Sequence, residues 1–371
     1  MKILYTNISF DAYTGTHVVT RDLAAAMARA GHQVAIFSLK VRPIYPELAG
    51  LGVTVTDDLF SISDTPDIVH GHHHEPLIQS LLRFPSTPAI YLCHDATGRA
   101  DTPFAFPRIR KYLAVDLRCQ ARLERELGLE PGQVEIVSNA VDTDRFQPRG
   151  PLPERPRRAL VFSNYASNQT HLPVVRRACR RAGIELAAMG SGTGTDSAHP
   201  ETELPKYDLV FAKGRCALEA LATGNAVILC DKAGTGSYVT AADFNAMWLR
   251  NFGHALLTGP LSAAVLTGEI ARYDAADAQA LSARVRAEAS LANAVVRWES
   301  IYRDVIAGFD SAAADRFAEN RAIADYISRW HYSRRQEWER EQGRRIQRIP
   351  IVGKAIGLAG HWAARRWRVF D

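Results

Sequence analysis

Lys213, Gly214 and Arg215 stand between the apolar run LVFA and a helix-forming run that carries Glu219. A glycine loop that opens a helix presents free backbone N–H groups and the positive end of the helix dipole, an arrangement suited to a phosphate. Lys213 and Arg215 add charge at that point. Glu219 lies four residues past Arg215, one turn into the helix, where a carboxylate can accept from both hydroxyls of a ribose. Taken alone, these residues read equally as solvated loop charges and an ordinary helix glutamate. His94 and Asp95 end the run IYLCHDA, either as ligand contacts or as a pair that fixes a loop. His70, His72, His73 and His74 invite a metal reading, but histidines along a strand alternate faces and no carboxylate pair converges on them. Asp142-Thr143-Asp144 has the outline of a metal motif without its setting. GSGTG (residues 190–194) follows a strand but lacks a dinucleotide fingerprint and its ribose acid, and reads as a cleft-facing loop.

The elements that position these residues alternate along the chain. KILYTNI is a short strand, VVTRDLAAAMARAG an Ala-rich amphipathic helix closed by Gly31, and HQVAIFSL the next strand. PDIVHG, PAIYLCHD, RKYLAVD and VEIVSN continue the rhythm. RGPLPERPRR (residues 149–158) interrupts it with a linker-like composition. RALVFSN, IELAAMG, YDLVFAK and AVILCD then restart it, and residues 278–310 read as helical. This pattern predicts an α/β protein with two doubly wound parallel sheets. The expected domains are 1–150, 151–310 and a helical extension over 311–371. Open sheets of this kind bind ligands beyond the carboxyl ends of their strands, so the loops there should carry the function.

A chain of 371 residues fits two such domains. Cys93, Cys119, Cys179, Cys216 and Cys230 form no CxxC pair, which argues against a disulfide framework or a zinc site and for a reduced, cytoplasmic setting. MKILYTNISF is too polar for a signal peptide, and no run approaches the roughly 18 apolar residues of a spanning helix. The net charge of +5 belongs to the tail: residues 331–371 hold ten Arg/Lys against four Asp/Glu. The remainder is close to neutral, which weakens the case for a nucleic-acid-binding core, and no nucleic-acid partner is expected.

Four segments, in order, resemble family 4 glycosyltransferases of the GT-B fold. GTHVVTRDLAAAMARAGHQVAIFS (residues 15–38) resembles the family's opening helix and Gly-His-x-Val turn. DIVHGH (67–72) and IYLCHDA (90–96) resemble two of its strands. VEIVSNAVDTDRFQP (134–148) resembles the close of its first domain, with Ala140 in place of the usual glycine. In the second half Gly214, Glu219, Ala220 and Gly224 match the donor-site helix. Two departures stand out. The family's first motif glutamate falls on Phe211, and the Arg and Lys that follow the first strand of the second domain are absent from residues 161–172.

The resemblance implies transfer of a sugar from a nucleoside diphosphate sugar to a glycan or lipid-linked acceptor, retaining and without a metal or other cofactor. It implies that Glu219 binds the ribose, that His94 with Asp95 contacts the donor hexose, and that Gly15 lets the opening loop approach the diphosphate. Lys213 and Arg215 are expected to replace the missing basic pair, aided by Asn164. Rival readings are a sugar-nucleotide epimerase on the same fold, a non-catalytic nucleotide-binding scaffold, and a membrane-associated assembly protein.

In the tail, Val352, Ile356, Ala359, Ala363, Trp367 and Phe370 share one helical face, opposite Lys354, His361, Arg365 and Arg368. This is the pattern of a helix lying on an anionic membrane surface, or of one packing on the body or a partner subunit. Deleting residues 349–371 should leave a folded protein that no longer floats with anionic vesicles. Unfolding of the shortened chain would instead assign the stripe to the core.

Overall fold

A computed structural model describes residues 1–312 and 314–330. The basic tail pattern over 349–371 lies outside them. The first sheet contains β1 (Lys2–Asn7), β2 (Gln33–Ser38), β3 (Thr54–Thr56), β4 (Ile68–Gly71), β5 (Ala89–Cys93), β6 (Ile109–Ala114) and β7 (Glu135–Ile136). All pair in parallel, in the order β3-β2-β1-β4-β5-β6-β7. Its helices are α1 (Gly15–Arg29), α2 (Glu47–Gly50), α3 (His74–Arg83) and α4 (Leu117–Leu127). The expected α/β class is observed.

Local chemistry sets the ends of these elements. Gly31 stops α1 with φ +86°, and the following N–H groups return to the carbonyls of Ala28 and Met27. Asp116 starts α4 by accepting from the N–H groups of Arg118 and Cys119 at 2.9 and 2.8 Å.

The second sheet holds β8 (Arg158–Phe162), β9 (Glu185–Met189), β10 (Leu209–Ala212), β11 (Ala226–Asp231) and β12 (Gly234–Tyr238) in the order β12-β11-β10-β8-β9. Strand β12 is antiparallel to β11 and was not expected. Its sequence GTGSY has two glycines and no apolar alternation, and Gly236 is required because a Cβ there would stand 2.8 Å from Leu229 Cβ. The helices are α5 (Leu172–Ala182), α6 (Pro200–Glu203), α7 (Gly214–Thr223), α8 (Phe244–Trp248), α9 (Ala263–Ile270), α10 (Ala275–Glu288) and α11 (Leu291–Ala307). No helix of the described residues is long and apolar enough to cross a membrane.

The helical stretch expected over 278–310 is two helices. Ser290 breaks it, capping α11 through Asn293 N–H, while Val141 exchanges backbone hydrogen bonds with Ala289 and Leu291. The chain there leaves the second sheet, and α11 lies on the first. Tyr302 of α11 reaches the buried interior, where its hydroxyl meets Tyr5 Oη at 3.0 Å and His70 Nδ1 at 2.7 Å. Trp298 packs on the His70 ring, with centroids 4.6 Å apart.

Residues 1–103 and 108–314 form one compact unit, which contains both sheets. Residues 104–107 belong with residues 315–330, of which 316–330 are helical, and Tyr326 packs against Phe104.

Tyr302→Phe would strip two buried groups of their partner. Urea unfolding should show a loss of about 1–3 kcal/mol, whereas Phe309→Leu, in the half-exposed segment that follows α11, should cost less.

Candidate functional site

The strand order places two switch points in the compact unit. In the first sheet the order reverses between β1 and β4, and in the second between β8 and β10. A crevice opens beyond the carboxyl ends of strands at such points. The loops there are residues 8–14 and 72–73 from one sheet, and 163–171 and 213–214 from the other. Asn164 Nδ2 donates to the carbonyl of Tyr13 at 3.3 Å, so loops from the two sheets touch.

Around the second switch point, Lys213 Nζ lies 3.0 Å from Asp231 Oδ2 and 2.9 Å from His254 Nε2. Tyr165, 53% exposed, receives Lys213 and Lys232 on its ring at 5.0 and 4.8 Å. Two cations thus lie over one aromatic ring, and the fully buried Asp231 pairs with Lys213. His171 is also sealed, its Nδ1 3.7 Å from Asp231. Burial lowers its pKa against the opposing pull of Asp231, which keeps the ring neutral near pH 7. The field of Asp95, from the first sheet's loops, also reaches His254.

Arg215 departs from expectation. Its guanidinium is bound to Asp22 of α1 and, through Nε, to Glu219 Oε1 at 2.8 Å. Asp22 is also held by Arg21 Nε at 2.7 Å, and Arg21 lies 3.5 Å from Glu47. The result is a chain of alternating charge running from α2 to α7. Burial opposes the charge on Arg215, but Asp22 and Glu219 outweigh it and its pKa is raised. Burial also raises Glu219, with Arg215 pulling the other way. Arg215 is thereby tied to two carboxylates, while Lys213 remains at the crevice. A cavity of about 450 Å³ adjoins this chain, lined by Tyr13, Asp22, Tyr45, Arg145 and Glu201 among others.

Other expected residues fall into place with specific partners. A Cβ on Gly15 would meet nothing within 4 Å, so the first turn of α1 borders open space. Gly214 takes φ +57° and gives its N–H to Phe252 O at 2.7 Å, so this particular amide is not free. Asn251 and Phe252, both with positive φ, form the wedge that receives it. Asn251 also bonds Asn139 at 2.9 Å. Asn164 Oδ1 accepts from Ser191 N–H at 3.1 Å, holding the glycine loop. A Cβ on Gly190 would sit 2.2 Å from Ser163 O, which explains that glycine by close packing. Asp95 accepts from the Thr97 N–H and hydroxyl at 2.7 and 2.8 Å; burial raises its pKa, but these bonds bring it below the usual range. Phe211 is fully buried within β10, so a side chain at 211 faces the core.

The histidine run is divided among separate partners. His70 meets Tyr302, His72 meets His94 at 2.6 Å, His73 Nδ1 accepts from Ile8 N–H at 3.0 Å, and His74 Nε2 meets Arg99 O at 3.0 Å. Asp142 Oδ1 accepts from the N–H groups of Asp144 and Arg145, a turn that explains the DTD run. Buried Asp101 accepts from His94 and Asp95 N–H at 2.6 and 3.1 Å, and burial pushes its carboxyl up to about 7.

Residues 13–145 match the family model described as Glycosyltransferase Family 4. No curated protein matches the chain in sequence. A glycosyltransferase from Rickettsia africae ESF-5 superposes with TM-score 0.59 and 15% identity, covering 83% of this chain and 99% of that one. HepE from Anabaena, in complex with UDP and glucose, gives 0.60 and 13%, covering 82% and 100%. WaaG, a glycosyltransferase involved in lipopolysaccharide biosynthesis, gives 0.50 and 12%, covering 83% and 100%. The fold is GT-B. The family match and the fold together support glycosyltransferase activity.

Lys232, Tyr165, Asp22 and His254 were not anticipated. Only Lys232 had a usable signal, as a cation just after the strand AVILCD.

Arg215→Met would leave the Glu219 carboxylate buried without its cation and Asp22 with Arg21 alone. At pH 7 urea unfolding should show a loss of about 3–5 kcal/mol. Burial already raises the Glu219 carboxyl against the pull of Arg215, so without Arg215 its folded pKa would stand further above its unfolded one, which favours the native state at lower pH. The difference from wild type should therefore shrink between pH 7 and 5.

Proposed function

We propose that this chain transfers a sugar from a nucleoside diphosphate sugar to a glycan or lipid-linked acceptor. The observation that carries this reading is the pair of lysines, Lys213 and Lys232, on the Tyr165 ring at the start of α7. They stand at the switch point where the family's basic pair is missing, and supply two charges for a diphosphate. HepE, which shares the fold, holds UDP and glucose. WaaG, with the same fold, acts in lipopolysaccharide biosynthesis, which favours an acceptor of cell-envelope type.

In this reading the nucleoside enters the cavity of about 450 Å³ beside Asp22, a volume suited to such a ligand. Glu219 accepts from the ribose, with Arg215 holding its carboxylate in place. The diphosphate lies between Lys213, Lys232 and the first turn of α7, with Gly15 leaving room from the other side. The hexose reaches toward His94 and Asp95. As the glycosidic bond to the diphosphate breaks, charge grows on the leaving oxygens, and the lysines and helix dipole stabilise it. No metal is assigned a role, and the sugar is transferred with retention of configuration.

Calorimetry with UDP and uridine tests the site. Lys213→Ala and Lys232→Ala should each weaken UDP binding by about tenfold, as loss of one charge-assisted contact implies, and barely change uridine. Glu219→Gln should weaken both ligands. Unchanged UDP affinity in both lysine variants would remove the diphosphate from this position. Tight UDP binding with neither transfer nor hydrolysis of UDP-sugars would favour a non-catalytic scaffold.

A further inference from the structure

His94 Nε2 lies 2.6 Å from His72 Nδ1. His94 is half-buried, whereas His72 is fully buried. A neutral imidazole carries one N–H and one lone pair, so a hydrogen bond between two neutral rings requires one to donate and the other to accept. Burial lowers the pKa of both rings, that of His94 to about 4, so both are neutral at physiological pH.

The direction of this bond follows from the far side of His72. Its Nε2 is buried and has no hydrogen-bond partner. If that nitrogen carried the proton, a buried N–H would be orphaned. If Nδ1 carries it, Nε2 holds only a bare lone pair and the proton is used in the bond to His94. Orphaned buried donors are rare because they forfeit a strong hydrogen bond to water. The neighbouring His70 also has a buried Nε2 without a partner, and its Nδ1 meets Tyr302 Oη at 2.7 Å. The His70 ring stacks on His72 at 4.5 Å and an interplanar angle of 20°, holding it in plane.

We propose that His72 is a positioning residue that fixes His94 in the tautomer with its proton on Nδ1, presenting a neutral N–H donor to the crevice. His94 Nδ1 has no hydrogen-bond partner among the described residues, and it is not sealed from solvent. The donor suits a sugar hydroxyl or the oxygen that leaves with the diphosphate. This role rests on reading the crevice as a glycosyl-transfer site. The tautomer itself does not.

The test uses the full chain with ¹⁵N-labelled histidine and long-range ¹H–¹⁵N correlation, assigning His94 by His94→Gln. Wild type should show His94 protonated at Nδ1. In His72→Phe, His94 should shift toward the Nε2–H form, and kcat with UDP-glucose should fall tenfold or more while donor KM stays within twofold. His72→Asn, whose amide N–H stands near the position of Nδ1–H, should restore the Nδ1–H form and most of kcat. Nε2–H in wild type overturns the proposal, as does an unchanged Nδ1–H form in His72→Phe. Should His72→Phe fail to fold, wild type and His72→Asn decide it, the latter against the proposal if it shows Nε2–H. Should wild type transfer no sugar from UDP-glucose, the spectra still decide the role of His72.

Discussion

A guanidinium buried between two carboxylates ties the two halves of the site together. Arg215 joins Asp22 on the first helix of the chain to Glu219 on the helix of the second sheet. None of the three is well solvated, so each depends on the others to keep its charge. Arg21 and Glu47 extend the alternation, so the line carries two cations and three anions with its surplus charge at the more exposed Glu47. Such a network contributes little net stability over an apolar core of equal volume. What it secures is register: helices α1 and α7 are held at one spacing, and the cavity beside them keeps its shape.

On the first sheet, burial does comparable work on uncharged rings. His70, His72 and His94 form a stacked and hydrogen-bonded series that begins at α11 and ends at the crevice. Helix α11 follows the second sheet in the chain yet supplies Trp298 and Tyr302 to this series. The position of His94 therefore depends on a segment about 200 residues downstream. Asp101 holds the same loop from the other side through the backbone of His94 and Asp95. A site whose support comes from both ends of the chain forms only once both sheets are in place.

Backbone strain is concentrated where the halves meet. Asn251 and Phe252 are the two non-glycine residues with positive φ among the described residues, and they receive Gly214 N–H and the Asn139 side chain. Left-handed backbone at such residues costs roughly 1–3 kcal/mol each, and persists where surrounding contacts over-determine it. Here the contacts are those that place Lys213 next to His254.

The strands, the main helices and the linker were legible because each is written in local terms: apolar runs, 3.6-residue periodicity, and glycines at helix ends. Helix α7 was legible for the same reason, since Gly214 opens it and Gly224 closes it on one segment. Strand β12 escaped because Gly236 answers to close packing against Leu229, and Gly234 to the carbonyls of Gly259 and Leu257, rather than to any strand pattern. Partners were beyond reach. Whether Arg215 faces a phosphate or a carboxylate depends on Asp22, 193 residues away. That Lys232 joins Lys213 depends on Tyr165 lying between them. Side-chain type and spacing determine which chemistry a segment can offer; the packing of distant segments decides which charge is neutralised and which is left for a ligand.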